Sequence, residues 1–272
     1  MAMIELATSG LPITMDEATY KLAFHGGLSA AGSSAKTAGQ LKGLLYAPEG
    51  VDEDEPCYEA YRDVAFPADR ARFQALGLRY DLTVIQPGTL QGECKKTSGH
   101  YHGPIAGQPL TYPEVYQVCL GRAVYILQKV SNFDQENEEP LIEDVQAVFV
   151  EAGQAILIPP FYGHGSINAG DGPLVFCNLA AVACPLFYQP VQKKHGLSVY
   201  ALKEEGRVHF IPNPHYKNVP PVRVTQPREN PALGVTSGQA LYATFIEAPW
   251  KFDFLLNPGR YQDAFNEMLN ER

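Results

Sequence analysis

Between residues 78 and 179 the chain is a series of short apolar runs broken by glycine and proline, with no helical pattern between them. Residues 78–86, 115–120, 123–130, 145–150, 155–158 and 174–179 read as strands, punctuated by Pro87-Gly88, Gly153, Pro159-Pro160 and Gly170-Asp171-Gly172. A parallel nucleotide-binding sheet needs a helix between successive strands, and none is written here. The pattern predicts an all-β fold, an antiparallel barrel or sandwich. Gly121-Arg122, between two of the runs, predicts a compact hairpin.

The flanks differ in texture. Residues 1–48 read as an N-terminal extension packing on the main domain at 49–217, and residues 218–272 as a C-terminal extension with a terminal helix at 261–270. Apolar residues at helical spacing predict a further helix over 67–76, and residues 197–211 predict two more strands around Glu204-Glu205-Gly206. The stretch Ala30 to Thr37 superficially suggests a phosphate loop. Alanines (Ala30, Ala35) occupy both glycine positions ahead of Lys36-Thr37, which excludes it.

Thirty acidic against 21 basic residues give a net charge of −9, which provides no electrostatic footprint for nucleic acid or an anionic membrane. No apolar stretch is long enough to span a bilayer, and the N-terminus has no basic, then apolar, leader pattern. Five cysteines, odd in number and without a Cys-x-x-Cys pair, fit small buried residues in a reducing compartment. These features predict a cytoplasmic protein.

The chemistry concentrates in residues 99–121. On an extended segment, residues i and i+2 face the same side, so His100 and His102 can present two imidazoles to one point. Glu114 supplies a carboxylate and His164, in Pro159-Pro160-Phe161-Tyr162-Gly163-His164, a fourth candidate donor. Nitrogen and carboxylate donors of this kind suit a catalytic divalent ion, because coordination positions remain open for substrate. Taken singly, each histidine is more often a surface or turn residue than a ligand. His25, His195, His209 and His215 fit no pattern and read as structural.

These motifs resemble the cupin family, specifically its archaeal-type glucose-6-phosphate isomerase branch. Gly121 follows Glu114 by seven residues, and Gly153, Pro159, His164 and Asn168 keep the spacing of the second cupin motif. The branch signature is matched by Thr83-Val84-Ile85-Gln86-Pro87-Gly88, by Lys96-Thr97-Ser98-Gly99-His100-Tyr101-His102 and by Pro113-Glu114-Val115-Tyr116; Tyr58-Glu59-Ala60-Tyr61 has a counterpart upstream. The resemblance spans roughly residues 40–217 and implies a double-stranded β-helix, a jelly-roll barrel, with one divalent metal per subunit. Fe(II) is favoured, with Mn(II), Ni(II) or Zn(II) as alternatives.

By the same resemblance His100, His102, Glu114 and His164 hold the metal. Tyr58, Thr83, Thr97 and Gly99 form the sugar-phosphate pocket, with charge available from Lys95 or Lys96. Tyr116 and Tyr188 line the sugar side. The three tyrosines read equally well as amphipathic core residues. Ala180 stands where the family places an active-site tyrosine, and Tyr188 is the candidate to compensate.

The implied reaction interconverts glucose 6-phosphate and fructose 6-phosphate through an enediolate, with Glu114 as candidate base, or by a hydride shift. Alternatives are isomerisation of another anionic sugar and a non-catalytic sugar-binding cupin. The expected partner is a small sugar phosphate, in a homodimer.

Overall fold

A computed structural model of the chain describes residues 2–135 and 138–269. Its main elements are strands β1 (Gly32–Thr37), β2 (Pro56–Arg62), β3 (Leu78–Ile85), β4 (Tyr101–His102), β5 (Glu114–Leu120), β6 (Arg122–Val130), β7 (Ile142–Glu151), β8 (Ala155–Ile158), β9 (Tyr162–Asn168), β10 (Leu174–Ala181), β11 (Leu186–Phe187), β12 (Val199–Glu204), β13 (Arg207–Pro212) and β14 (Arg223–Thr225). Helices α1 (Pro67–Leu76), α2 (Leu241–Glu247) and α3 (Gln262–Leu269) lie outside the sheets.

One six-stranded sheet runs β8-β5-β10-β3-β2-β1 and a four-stranded sheet runs β9-β6-β7-β14. All pairings are antiparallel except β7 with β14. This is the expected all-β jelly roll, and its helices are few and peripheral.

The predicted hairpin at Gly121 does not form. β5 pairs with β8 and β10, whereas β6 pairs with β7 and β9, so the chain passes from one sheet to the other at this point. Gly121 makes the corner possible: its φ is +83°, and a Cβ there would stand 2.5 Å from the Pro173 carbonyl oxygen.

Both faces of the six-stranded sheet are covered, which is why β5 and β10 are nearly continuous apolar runs. The inner face, toward the second sheet, carries Tyr116, Val118, Leu174 and Phe176, packed with Tyr125, Val148 and Ile156. The outer face carries Val115, Leu82, Cys177 and Leu179 and is closed by the flanking segments, from Leu6, Ile13 and Met15 to Phe245, Phe252 and Phe254. Phe73 of α1 stacks on Phe245 with ring centroids 4.4 Å apart, and Tyr80 meets Tyr242 edge-on at 5.2 Å.

A buried polar clamp fixes the C-terminal segment. Gln117 Nε2 donates to Gln239 O at 2.7 Å, and Gln117 Oε1 accepts from Leu241 N at 2.8 Å. α3 matches the predicted terminal helix up to Leu269; Asn270 lies outside the described residues.

Candidate metal centre and active-site cleft

Between the sheets opens a small cleft lined by residues of both. Alternation along the six-stranded sheet decides what faces it: Tyr58, Ala60 and Arg62 from β2, Arg79 and Thr83 from β3, Glu114 and Tyr116 from β5, Phe176, Asn178 and Ala180 from β10. His164 arrives from β9 in the opposite sheet. His100 is held beside it by two backbone bonds, His100 N to His164 O at 3.0 Å and His164 N to His100 O at 2.9 Å. β4, paired with β11, presents His102.

His100, His102, Glu114 and His164 converge so that one ligand atom from each lies within 4.8 Å of all the others. His100 Nε2 is 3.2 Å from His102 Nε2, and Glu114 Oε2 is 3.2 Å from His102 Nε2 and 3.4 Å from His164 Nε2. On the far side of two rings, His102 Nδ1 meets the Tyr112 carbonyl at 2.8 Å and His164 Nδ1 faces the Tyr162 carbonyl at 3.4 Å. Donation from Nδ1 to a carbonyl leaves the Nε2 lone pair facing inward.

Inward-facing imidazole nitrogens at contact distance, with a carboxylate among them, are electron-rich groups without enough protons to share. A divalent cation resolves that conflict, and donors bound about 2.0–2.2 Å from one ion have about this mutual spacing. The residues fit a metal.

The electrostatics pull the four donors in different directions. Burial pushes His100 well below its ordinary pKa, reinforced by His164 and His102. Burial opposes ionisation of Glu114, yet hydrogen bonding from His102 and His164 outweighs it and holds the carboxyl well below its usual range. His102 also resists protonation through burial, but its bonds to Cys184 and Glu114 lift it to about 10. A cation entering the site therefore competes with a proton at His102.

Glu114 is tightly oriented. Oε1 accepts from Asn178 Nδ2 at 2.7 Å, and Oε2 accepts from Tyr116 Oη at 2.8 Å. Burial keeps the Tyr116 phenol protonated, with the Glu114 charge adding to the shift, so it serves as a donor. Tyr116 Oη also lies 3.1 Å from His164 Nε2.

Tyr58, Thr83, Thr97, Tyr116 and Tyr188 all line the cleft. Tyr58 Oη is 3.3 Å from Ser98 Oγ, and the Tyr188 ring lies 5.2 Å from the His100 ring. Thr97 Oγ1 already accepts from Ser166 N at 3.1 Å, leaving its hydroxyl proton available. Gly99 is outside the lining; at φ +73° it shapes the turn before His100, and a Cβ there would stand 3.3 Å from the Leu197 side chain.

The lysines expected to add charge turn away. Lys95 Nζ bonds Pro56 O at 2.9 Å and Glu55 at 2.7 Å, while Lys96 is engaged by Leu44 O and Glu93. Arg62 and Arg79 are the cleft's cations instead. They, with Ser98, Ser166, Asn178 and Cys184, escaped the sequence reading. Arg62 had one available signal, as it continues the Tyr58, Ala60 alternation onto the same face. Cys94 is not in the lining, and burial raises its thiol to about 11.

Comparison with known proteins follows the same line. The family model for Glucose-6-phosphate isomerase (GPI) matches residues 35–218. The chain belongs to this glucose-6-phosphate isomerase family. A "Glucose-6-phosphate isomerase" of Thermococcus litoralis is 29% identical over 203 residues, covering 72% of this chain and 95% of that protein. One from Pyrococcus furiosus is 27% identical over 170 residues, covering 62% and 78%.

Among solved structures, an oxalate oxidase aligns over 50% of this chain and 57% of its own at 16% identity and a TM-score of 0.34, too loose to bear on function. The family match ends at residue 218, so the segment carrying α2 and α3 lies outside the matched region.

Proposed function

We propose that the protein is a metal-dependent aldose–ketose isomerase interconverting glucose 6-phosphate and fructose 6-phosphate. The observation that carries the reading is the convergence of His100, His102, Glu114 and His164 in an open cleft of a chain belonging to the glucose-6-phosphate isomerase family. Residues 49–217 carry the activity, with residues 1–48 and 218–272 as packing extensions. The working unit is a homodimer.

His100, His102, Glu114 and His164 hold the ion; imidazole and carboxylate suit Fe(II) first, with Mn(II), Ni(II) and Zn(II) close behind. A divalent cation there supplies positive charge against the oxygens on which the enediolate's negative charge develops. The protein's own groups do the rest. Tyr58, Thr83 and Thr97 offer hydroxyls to the sugar phosphate. Tyr116 and Tyr188 flank the sugar, Tyr188 at the mouth beside His100.

Glu114 takes the proton from C2 of the open-chain aldose and returns it to C1. Oε2 sits among the imidazoles, while Oε1 is tied to neutral Asn178, which supports assigning the action on carbon to Oε1.

The test is isomerisation in deuterated water. Proton transfer through Glu114 predicts deuterium at C2 of glucose 6-phosphate formed from fructose 6-phosphate, and loss of turnover in Glu114→Gln at retained metal content. Turnover without deuterium would replace the base mechanism with a hydride shift. No turnover with any hexose 6-phosphate would remove the reaction itself.

A further inference from the structure

On the cleft face of the six-stranded sheet, beginning two strands from Glu114, two guanidinium groups share one further carboxylate. Asp81, whose side chain is 0% exposed, accepts from Arg62 Nη1 at 2.7 Å and from Asp63 N at 2.9 Å. Arg79 Nε lies 3.1 Å from the same Oδ2 but makes no hydrogen bond with it. One carboxylate between two guanidinium groups leaves a net positive charge. It also leaves planar N–H edges of both arginines unmatched among the described residues.

Both arginines line the cleft. Tyr58, Tyr116, Tyr188 and His100 surround the same cavity.

Strand register places the pair relative to the metal donors. Tyr116 pairs with Asn178, Asn178 with Asp81, and Ala180 with Arg79. Val115 pairs with Leu179, so Glu114, one residue before it, flanks Ala180. Ala180 thus separates Arg79 from Glu114 across two strand spacings, about 10 Å of backbone. A methyl group is all that fills the sheet surface between cation and metal donor. The chain is acidic overall and turns Lys95 and Lys96 elsewhere, so these arginines are a local exception to its charge.

We propose that Arg62 and Arg79, sharing the single carboxylate of Asp81, form an anion subsite that grips the phosphate of the substrate, with Ala180 leaving the space beside the metal donors. Guanidinium forks match phosphate oxygens in pairs and do so best on a half-buried wall. The subsite deepens the proposed function and rests on that reading for the identity of the sugar.

The experiment titrates full-length, metal-loaded protein with inorganic phosphate and follows fructose 6-phosphate turnover in parallel. Phosphate should bind and compete with the sugar phosphate. Arg79→Gln should weaken phosphate at least tenfold and raise KM by more than it lowers kcat, at unchanged metal content, and Arg79→Lys should recover part of the loss. Arg62→Gln should act in the same direction. Lys42→Gln, which removes an exposed charge paired with Glu53 outside the cleft, should keep the wild-type KM.

Folded, metal-loaded Arg79→Gln and Arg62→Gln proteins with wild-type phosphate affinity and KM would overturn the subsite while leaving the isomerase reading intact. Arginine-dependent phosphate binding in a protein that converts no hexose phosphate would do the reverse.

Discussion

Asn178 Nδ2 donates to Glu114 Oε1 at 2.7 Å, fixing the oxygen of Glu114 that is not turned toward the histidines. The bond crosses from β10 to β5 at the floor of the cleft, so orientation of the candidate base depends on a neutral amide. A hydrogen bond to a charged group is worth about 1.5–3 kcal/mol, or roughly ten- to a hundredfold in rate if it acts only in the transition state. Asn178→Ala should lower kcat in that range while the protein keeps its metal, measured by steady-state kinetics beside metal analysis.

The metal should also stabilise the fold, because His100 and His102, Glu114, and His164 come from three separate stretches of chain. A ligand present at a hundred times its Kd adds about 2.7 kcal/mol to the native state. Thermal unfolding of loaded and chelator-stripped protein should differ by several degrees. His164→Ala, which removes the contribution of β9, should shrink that difference sharply.

Gly121→Ala tests the corner between the sheets. The substitution forces a side chain into the left-handed region at φ +83° and drives a Cβ to 2.5 Å from Pro173 O. A loss of about 2–4 kcal/mol is expected, visible as a lower urea midpoint. Gly172→Ala, with open space around its Cβ and no left-handed φ, should cost far less.

This corner marks the limit of what the sequence disclosed. The four clustered donors were legible as a candidate metal site because His100 and His102 satisfy a two-residue period and Glu114 and His164 keep a family spacing, both local facts. The strands were legible for the same reason. The exchange of sheets at Gly121 was not, because a two-residue link, Gly121-Arg122, between apolar runs looks alike whether the runs pair with each other or part company; the Pro173 carbonyl decides it from across the fold. Arg62 and Arg79 were hidden for a related reason. They sit on strands whose alternation looks ordinary until β2, β3 and β10 lie side by side. Lys95 and Lys96 gave the opposite error, since closeness to His100 in sequence did not fix where their stems lead.

A pH dependence should appear far from the cleft. Asp144 on β7 accepts from Arg223 at 3.0 and 2.7 Å, from Gln146 at 2.8 Å and from Tyr162 at 2.9 Å, tying β14 to the barrel. Burial alone would raise its pKa, but these bonds, led by Arg223, hold the carboxyl below its ordinary value. A depressed folded-state pKa gives stability that is fully present above the unfolded value, about 3.9, and is lost as pH falls through the folded value. Asp144→Asn should therefore be less stable than wild type by a constant amount between pH 5 and 7 (a range chosen for the assay, about one to three units above that unfolded value). The gap should close as pH drops below about 4, followed by denaturant titration at each pH.

The central claim is that a divalent ion on His100, His102, Glu114 and His164 makes this chain a glucose-6-phosphate isomerase. Its most direct test is a coupled assay of fructose 6-phosphate conversion on protein stripped with chelator and reloaded separately with Fe(II), Mn(II), Ni(II) or Zn(II). Activity that disappears on stripping and returns with at least one metal is the predicted result. Activity that survives complete stripping, or protein that binds metal at full occupancy and converts no fructose 6-phosphate, would contradict it.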